Sequence, residues 1–331
     1  MKNIVIVLSL VIITIFSGCS TKEVYEPKSL SNDWENYGDK EFTIVALGAE
    51  GALLEDRKVL TKDGVIDVKI DTDERLVSKS NDWIITAKIN GILTLRNINE
   101  KTKVVFDLKK TIATASINDN TLAVLFADSE MALYSIDTKE VLLKEQGGKS
   151  LAVDARVTPP YFMNDLVLFS TLDGKVIIVN VALKKKLRTV IVSTEDNFNN
   201  IIYLDVIDNK IIAATGTKIL SLAQKEIRVK YEIRNIIYDD MNLYIATKQG
   251  EIISLTPDLQ VNAKEKFPFA HFVSMISHNN KLYVLEKEGY LIVIEKDLSN
   301  YSVHEVDLED GYIFIDDTTF YIANEYISVK K

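Results

Sequence analysis

A pattern that returns about every 39 residues constrains this chain more than anything else in it. Six segments, residues 82–108, 121–145, 165–192, 210–233, 242–265 and 281–306, share one order: apolar strand, tight turn, apolar strand, polar turn, third strand. The tight turns centre near Gly91, Glu130, Gly174, Gly216, Gly250 and Gly289, and a shortened seventh copy ends the chain around Asn324-Glu325. Their spacings are 39, 44, 42, 34, 39 and about 36 residues. Asn90-Gly91 and Asp173-Gly174 are dipeptides whose positive φ suits a two-residue hairpin. A period near 40 with several short strands per unit predicts an all-β fold, a single β-propeller. A pair of β-sandwiches would also show short strands and turns, but nothing in it demands a steady period. Counting turns gives seven blades, and an extra hairpin at Glu50-Gly51 leaves eight open.

Some strands, such as VIIV at 176–179 and LYIAT at 243–247, are apolar on both faces, as expected between neighbouring blades. Small residues precede several turns (Ala87, Thr171, Thr247), where strands crowd toward an axis. The last copy stops after its third strand, so a fourth must come from elsewhere or leave an open edge. Residues 42–47, FTIVAL, are the expected N-terminal donor that closes the ring.

Composition excludes several classes. At 47% hydrophobic and 26% charged, the chain is too apolar for disorder. Thirty-nine basic against 48 acidic residues give −9 with no large basic block, which argues against nucleic acid. The single cysteine, Cys19, precludes an internal disulfide or a multi-thiolate metal site.

The first nineteen residues read as an address. Met1-Lys2-Asn3 is followed by an apolar run from Ile4 to Phe16, then Ser17-Gly18-Cys19. Thirteen residues reach about 20 Å as a helix against a bilayer core of roughly 30 Å, so the run reads as a secretory signal rather than a span. Residues 1–18 are therefore expected to be a lipoprotein signal peptide, 19–41 a lipidated flexible tether and 42–331 the propeller. Removing Lys2 with the signal leaves 38 basic against 48 acidic residues, or −10.

Phe16-Ser17-Gly18-Cys19 resembles a bacterial lipobox, which implies acylation at Cys19 and cleavage before it. Together with the blade hairpins, best matched by LDGKVIIVN at 172–180, the chain resembles the pyrroloquinoline-quinone-type β-propeller lipoproteins. That group includes a lipoprotein of the outer-membrane β-barrel assembly machine. The resemblance implies an outer-membrane, lipid-anchored, periplasm-facing protein, with Ser20 in place of an inner-membrane Asp. The chain departs from the family's tryptophan-terminated repeats, carrying only Trp34 and Trp83.

Chemistry is sparse. Quinone enzymes of this fold resemble one another in a stacking tryptophan and a vicinal disulfide, and no second cysteine exists here, so no cofactor is expected. His271, His278 and His304 never fall into a ligand spacing, and no metal site is expected. Asp71-Thr72-Asp73-Glu74 lacks the later residues of a calcium loop and reads as a turn. Lys184-Lys185-Lys186-Leu187-Arg188 reads as a solvated tip between the second and third strands of a blade. No Ser, His and Asp set assembles, and catalytic residues are not assigned.

Three stretches outside the repeat pair aromatics with prolines or amides, the composition of recognition surfaces. They nominate Tyr161, Phe162, Phe198, Asn199, Asn200, Phe267, Phe269 and Phe272 as an interface, against the alternative that each ring plugs a gap between blades. The expected function is a non-catalytic protein–protein interaction scaffold for envelope proteins, in outer-membrane protein assembly. Two rivals are a ligand-binding or enzymatic propeller using the central funnel and a surface-exposed adhesin.

Overall fold

The computed structural model describes residues 23–330, so Cys19 and the signal segment lie outside the described residues. Among the described residues, thirty-two strands form eight four-stranded antiparallel sheets, arranged as an eight-bladed propeller. The innermost strands are Ile44–Gly48, Arg75–Ser80, Ile112–Asn118, Tyr161–Met163, Tyr203–Ile207, Ile233–Asp239, Phe272–His278 and Ile313–Ile315, for blades 1 to 8. The hairpins aligned in the sequence are the second and third strands of each blade. The eighth unit is the one signalled at Glu50-Gly51, whose two-residue turn joins the first strands of blade 1.

Each blade is a flat unit that cannot bury both faces alone, and the packing shows it. Among the described residues eight apolar clusters are present, one at each seam between neighbours. At the seam of blades 2 and 3, for instance, Ile85 and Leu93 meet Ala115 and Leu122. The seam of blades 8 and 1 is thin, with Ile44, Ala52, Leu54, Leu60 and Phe314 as its buried members.

An N-terminal strand closes the ring, as the open last blade requires. The donor is Tyr37–Asp39, which pairs with Glu325–Ser328 through Tyr37↔Ile327, Gly38↔Tyr326 and Asp39↔Glu325. Residues 42–47 are not the donor; most of them enter the innermost strand of blade 1. The outer strand of a blade needs backbone pairing on one edge and little apolar surface, so a polar Tyr-Gly-Asp serves, while the apolar run goes to the interior.

The segment read as a tether is likewise ordered from Tyr25 onward. Tyr25 is buried against Phe267 and Tyr290, with ring centroids 6.1 and 5.7 Å away. Ser31 N–H donates to Val303 O at 2.8 Å, Trp34 N–H to Glu305 O at 3.2 Å, and Trp34 Nε1 to Ser328 O at 2.9 Å. Two aromatics, spaced too widely to show a period, anchor this strap to blades 7 and 8.

Successive strands of a blade run in opposite directions, so the links between blades and the turns between second and third strands share one end of the ring, the upper face. Turns between first and second strands lie on the lower face. Several are two-residue turns with both φ positive, as at Asp208 (47°) and Asn209 (60°), which explains their Asn and Asp residues. The basic run 184–188 leads into the outermost strand of blade 4, Lys185–Ile191, not a tip between the second and third strands. There Lys186 pairs with Glu145 and Arg188 with Glu226, both at 2.6 Å, stitching adjacent blades.

Candidate binding surface

The inner strands of all eight blades surround a central channel of about 1010 Å³. Its wall at blades 4 to 6 carries Tyr161, Tyr203, Asp205 and Tyr238. Tyr203 O–H donates to Asp205 Oδ2 at 3.4 Å, and burial followed by the Asp205 charge pushes its pKa well above the ordinary tyrosine value. Thr114, on the adjoining blade 3, is buried with its hydroxyl unpartnered among the described residues. Among the described residues, no three His, Cys, Asp or Glu side chains are placed to hold a metal ion. His304 accepts from Ser302 Oγ at 2.8 Å while its Nδ1 donates to Asn32 O at 2.6 Å, so this imidazole fastens the strap.

The eight nominated interface residues separate sharply. Phe198 and Phe269 are 59% and 58% exposed and both hold positive φ, 51° and 65°, a conformation costly for a bulky side chain. Both lie on the upper face, in the links before blades 5 and 7. Tyr161 and Phe162 are half-buried; Tyr161 faces the channel and Phe162 packs at the seam of blades 3 and 4. The other four are structural, a correction to their assignment as contact residues. Phe267 and Phe272 fill the seam of blades 6 and 7 with Tyr25. Asn199 Nδ2 donates to Ser193 O and Asp173 O, each at 3.1 Å. Asn200 Nδ2 donates to Asp154 O at 3.2 Å and Arg156 O at 2.8 Å, and its Oδ1 accepts Asp154 N–H at 2.6 Å.

Those amide bonds hold a link that the residue-by-residue reading missed. Residues 147–160 connect blades 3 and 4, and Phe198 N–H donates to Ala152 O at 2.9 Å. Leu151 (85% exposed) and Val153 flank that acceptor and extend the apolar surface beside Phe198. Ile89, also 85% exposed, lies on the same face. The widest turn spacing, 44 residues between Glu130 and Gly174, is the sequence signal that marks this link.

Comparison with known proteins places the chain in two ways. It is 27% identical over 368 residues to the plasminogen-binding protein PgbB of two Helicobacter pylori strains, covering 95% of this chain and 68% of theirs. PgbB is a distant relative. No protein-family model matches. In three dimensions the chain resembles BamB from Moraxella catarrhalis, at TM-score 0.68 and 10% identity over 88% of this chain and 98% of that one. The C-terminal WD40 domain of Sif2 gives TM-score 0.65 at 12% identity, over 92% of this chain and all of that one. At such identities the likeness speaks for the propeller fold and for nothing more.

Proposed function

We propose that this chain is a non-catalytic lipoprotein, anchored through Cys19, whose propeller binds other proteins through its upper face. The observation that carries the reading is the match, over 95% of this chain and 68% of the relative, to a protein named for binding plasminogen. The exposed Phe198, Leu151 and Val153 support it, since stiff or branched apolar groups on a rigid scaffold bury area at low entropic cost. Lipid at Cys19 would leave five residues before the docked Tyr25, a reach of about 20 Å at full extension, so the ring would sit close to the membrane.

Purified propeller should bind immobilised plasminogen saturably, and lipid labelling should disappear in Cys19→Ser. Absence of saturable binding removes the plasminogen partner; recovery of the protein alone after crosslinking in envelopes removes the protein-binding reading altogether. A second reading, a periplasm-facing scaffold in outer-membrane protein assembly, is favoured by the BamB-like fold together with the lipobox. Protease added to intact cells separates the two: cleavage of the propeller supports a surface-exposed binder, protection the internal scaffold.

A further inference from the structure

Five innermost strands slip by one residue against their neighbours at the same point near the upper face. The residue at the slip is Val45, Val77, Ala113 or Val273 in blades 1, 2, 3 and 7, but Arg234 in blade 6. A long cation therefore stands where the repeat otherwise places a small or branched apolar side chain. Its Nε is buried with no hydrogen-bond partner among the described residues. The carboxylate that acts on it, Asp154, is already held by Arg156, through Nε to Oδ1 at 2.9 Å and Nη2 to Oδ2 at 2.5 Å. Arg156 also donates through Nη1 to Arg234 O at 2.5 Å, which fixes its guanidinium against the Arg234 backbone. Lys248, on the upper turn of blade 6, acts on the same Asp154. Arg156 and Lys248 act on Asp154, and Asp154 on Arg234, while Glu232, whose carboxylate accepts from Gln249 Nε2 at 2.5 Å, stands across from Lys248, so three cations meet two carboxylates. Burial and the Arg156 charge both disfavour the charged form of Arg234. Among the described residues no acceptor meets Arg234 Nε, and the neighbouring Arg156 lines the upper end of the channel.

We propose that Arg234 and Lys248 form an oxyanion subsite on the upper face beside the channel-lining Arg156, with Asp154 and Arg156 as its fixed frame, taking a carboxylate or phosphate group. A planar guanidinium with free terminal nitrogens matches either group through two parallel hydrogen bonds. The site is independent of the protein-binding reading above, since a free small anion would fill it equally.

Calorimetric titration of the full chain with inorganic phosphate and, separately, succinate at constant ionic strength tests this, with chloride as the comparison. The expected result is saturable binding of at least one oxyanion, weakened about tenfold in Arg234→Gln and less in Arg234→Lys. Phosphate binding without succinate binding assigns a phosphate-bearing ligand, and the reverse a carboxylate. Arg228→Gln, on the outer strand of blade 5 and paired with Glu226, should leave the titration unchanged. Equal binding in wild type and Arg234→Gln, or heats no different from chloride, overturns the proposal. So does a marked loss of thermal stability in Arg234→Gln, because it would mean the guanidinium already has a structural partner.

Discussion

Trp34→Ala measures whether the strap is part of the domain. The indole is 9% exposed, donates to Ser328 O at 2.9 Å, and meets Tyr283 and His304 edge-on at 6.0 and 5.2 Å. Truncating a buried tryptophan costs about 3–5 kcal/mol. The site is at the rim, where water can refill the space and rehydrate the Ser328 carbonyl, so the lower end, about 3 kcal/mol, is expected. A kcal/mol moves the melting temperature by about 2–4 °C in domains of 150–250 residues and less in larger ones, so a fall of roughly 6 °C follows. Calorimetry of wild type and variant gives the shift. Trp83→Phe leaves Trp34 as the only tryptophan, and its emission should red-shift together with loss of the sheet signal. A shift below about 1 °C, or strap emission that changes well before the sheet melts, would refute the claim that residues 25–39 close the ring.

Removing Arg96 should cost about 3–5 kcal/mol, because its ion pair with Glu74 (2.8 Å) is buried and Arg96→Met leaves an uncompensated carboxylate. The pH dependence should also reverse. Burial opposes ionisation of Glu74, but hydrogen bonds from Thr86, Thr94 and Arg96 hold its pKa below the ordinary glutamate value. Wild type therefore keeps this stabilisation above the ordinary value and loses it as pH falls through the depressed one, whereas Arg96→Met should gain stability between pH 7 and about 5, read from denaturant midpoints. Gly250→Ala and Gly64→Ala separate strain from collision. Both glycines have positive φ, 74° and 105°, but a Cβ at Gly250 would lie 2.2 Å from Phe267 O while one at Gly64 meets nothing within 4 Å. Gly64→Ala should cost about 1–2 kcal/mol and Gly250→Ala clearly more, by urea titration. Phe198→Asp should leave stability within about 0.5 kcal/mol and reduce plasminogen retention on a sensor surface; unchanged retention would remove Phe198 from the contact.

What the sequence disclosed follows from which interactions are local. Second and third strands with Gly or Asn turns repeat because each blade needs the same hairpin, so Gly91, Gly174 and Gly289 mark the period on sight. Blade 1 hides because its outer strands, Val59–Thr61 and Gly64–Ile66, are only three residues each and give no alternation to read. Tyr37–Asp39 was invisible for the same reason. The Glu74 and Arg96 pair sits 22 positions apart, joining what reads as a turn to what reads as a plain strand, and only pairing of the strands brings them together. Asn199 and Asn200 illustrate the opposite failure. Adjacent amides beside an aromatic look like a contact surface, yet both turn inward to satisfy backbone carbonyls of links that have no ladder of their own.

The same bonds explain how exposed apolar side chains come to lie on the upper face. Lower-face turns are short and set by φ, which leaves Asn and Asp little freedom to vary in length or shape. Upper links carry no ladder constraint, so the 147–160 link could lengthen and fold over its neighbour, held by Asn200 and Arg156 instead of by strand pairing. Its apolar residues Leu151 and Val153 are exposed as a consequence, and its Arg156 is delivered to Arg234, 78 positions away. Asn200→Ala tests that economy directly. It removes two donated bonds and one accepted bond from a fully buried side chain, so the link should become protease-sensitive at residues 147–156 while the sheets melt only a few degrees earlier. Cooperative loss of the whole propeller would instead make the link a part of the core.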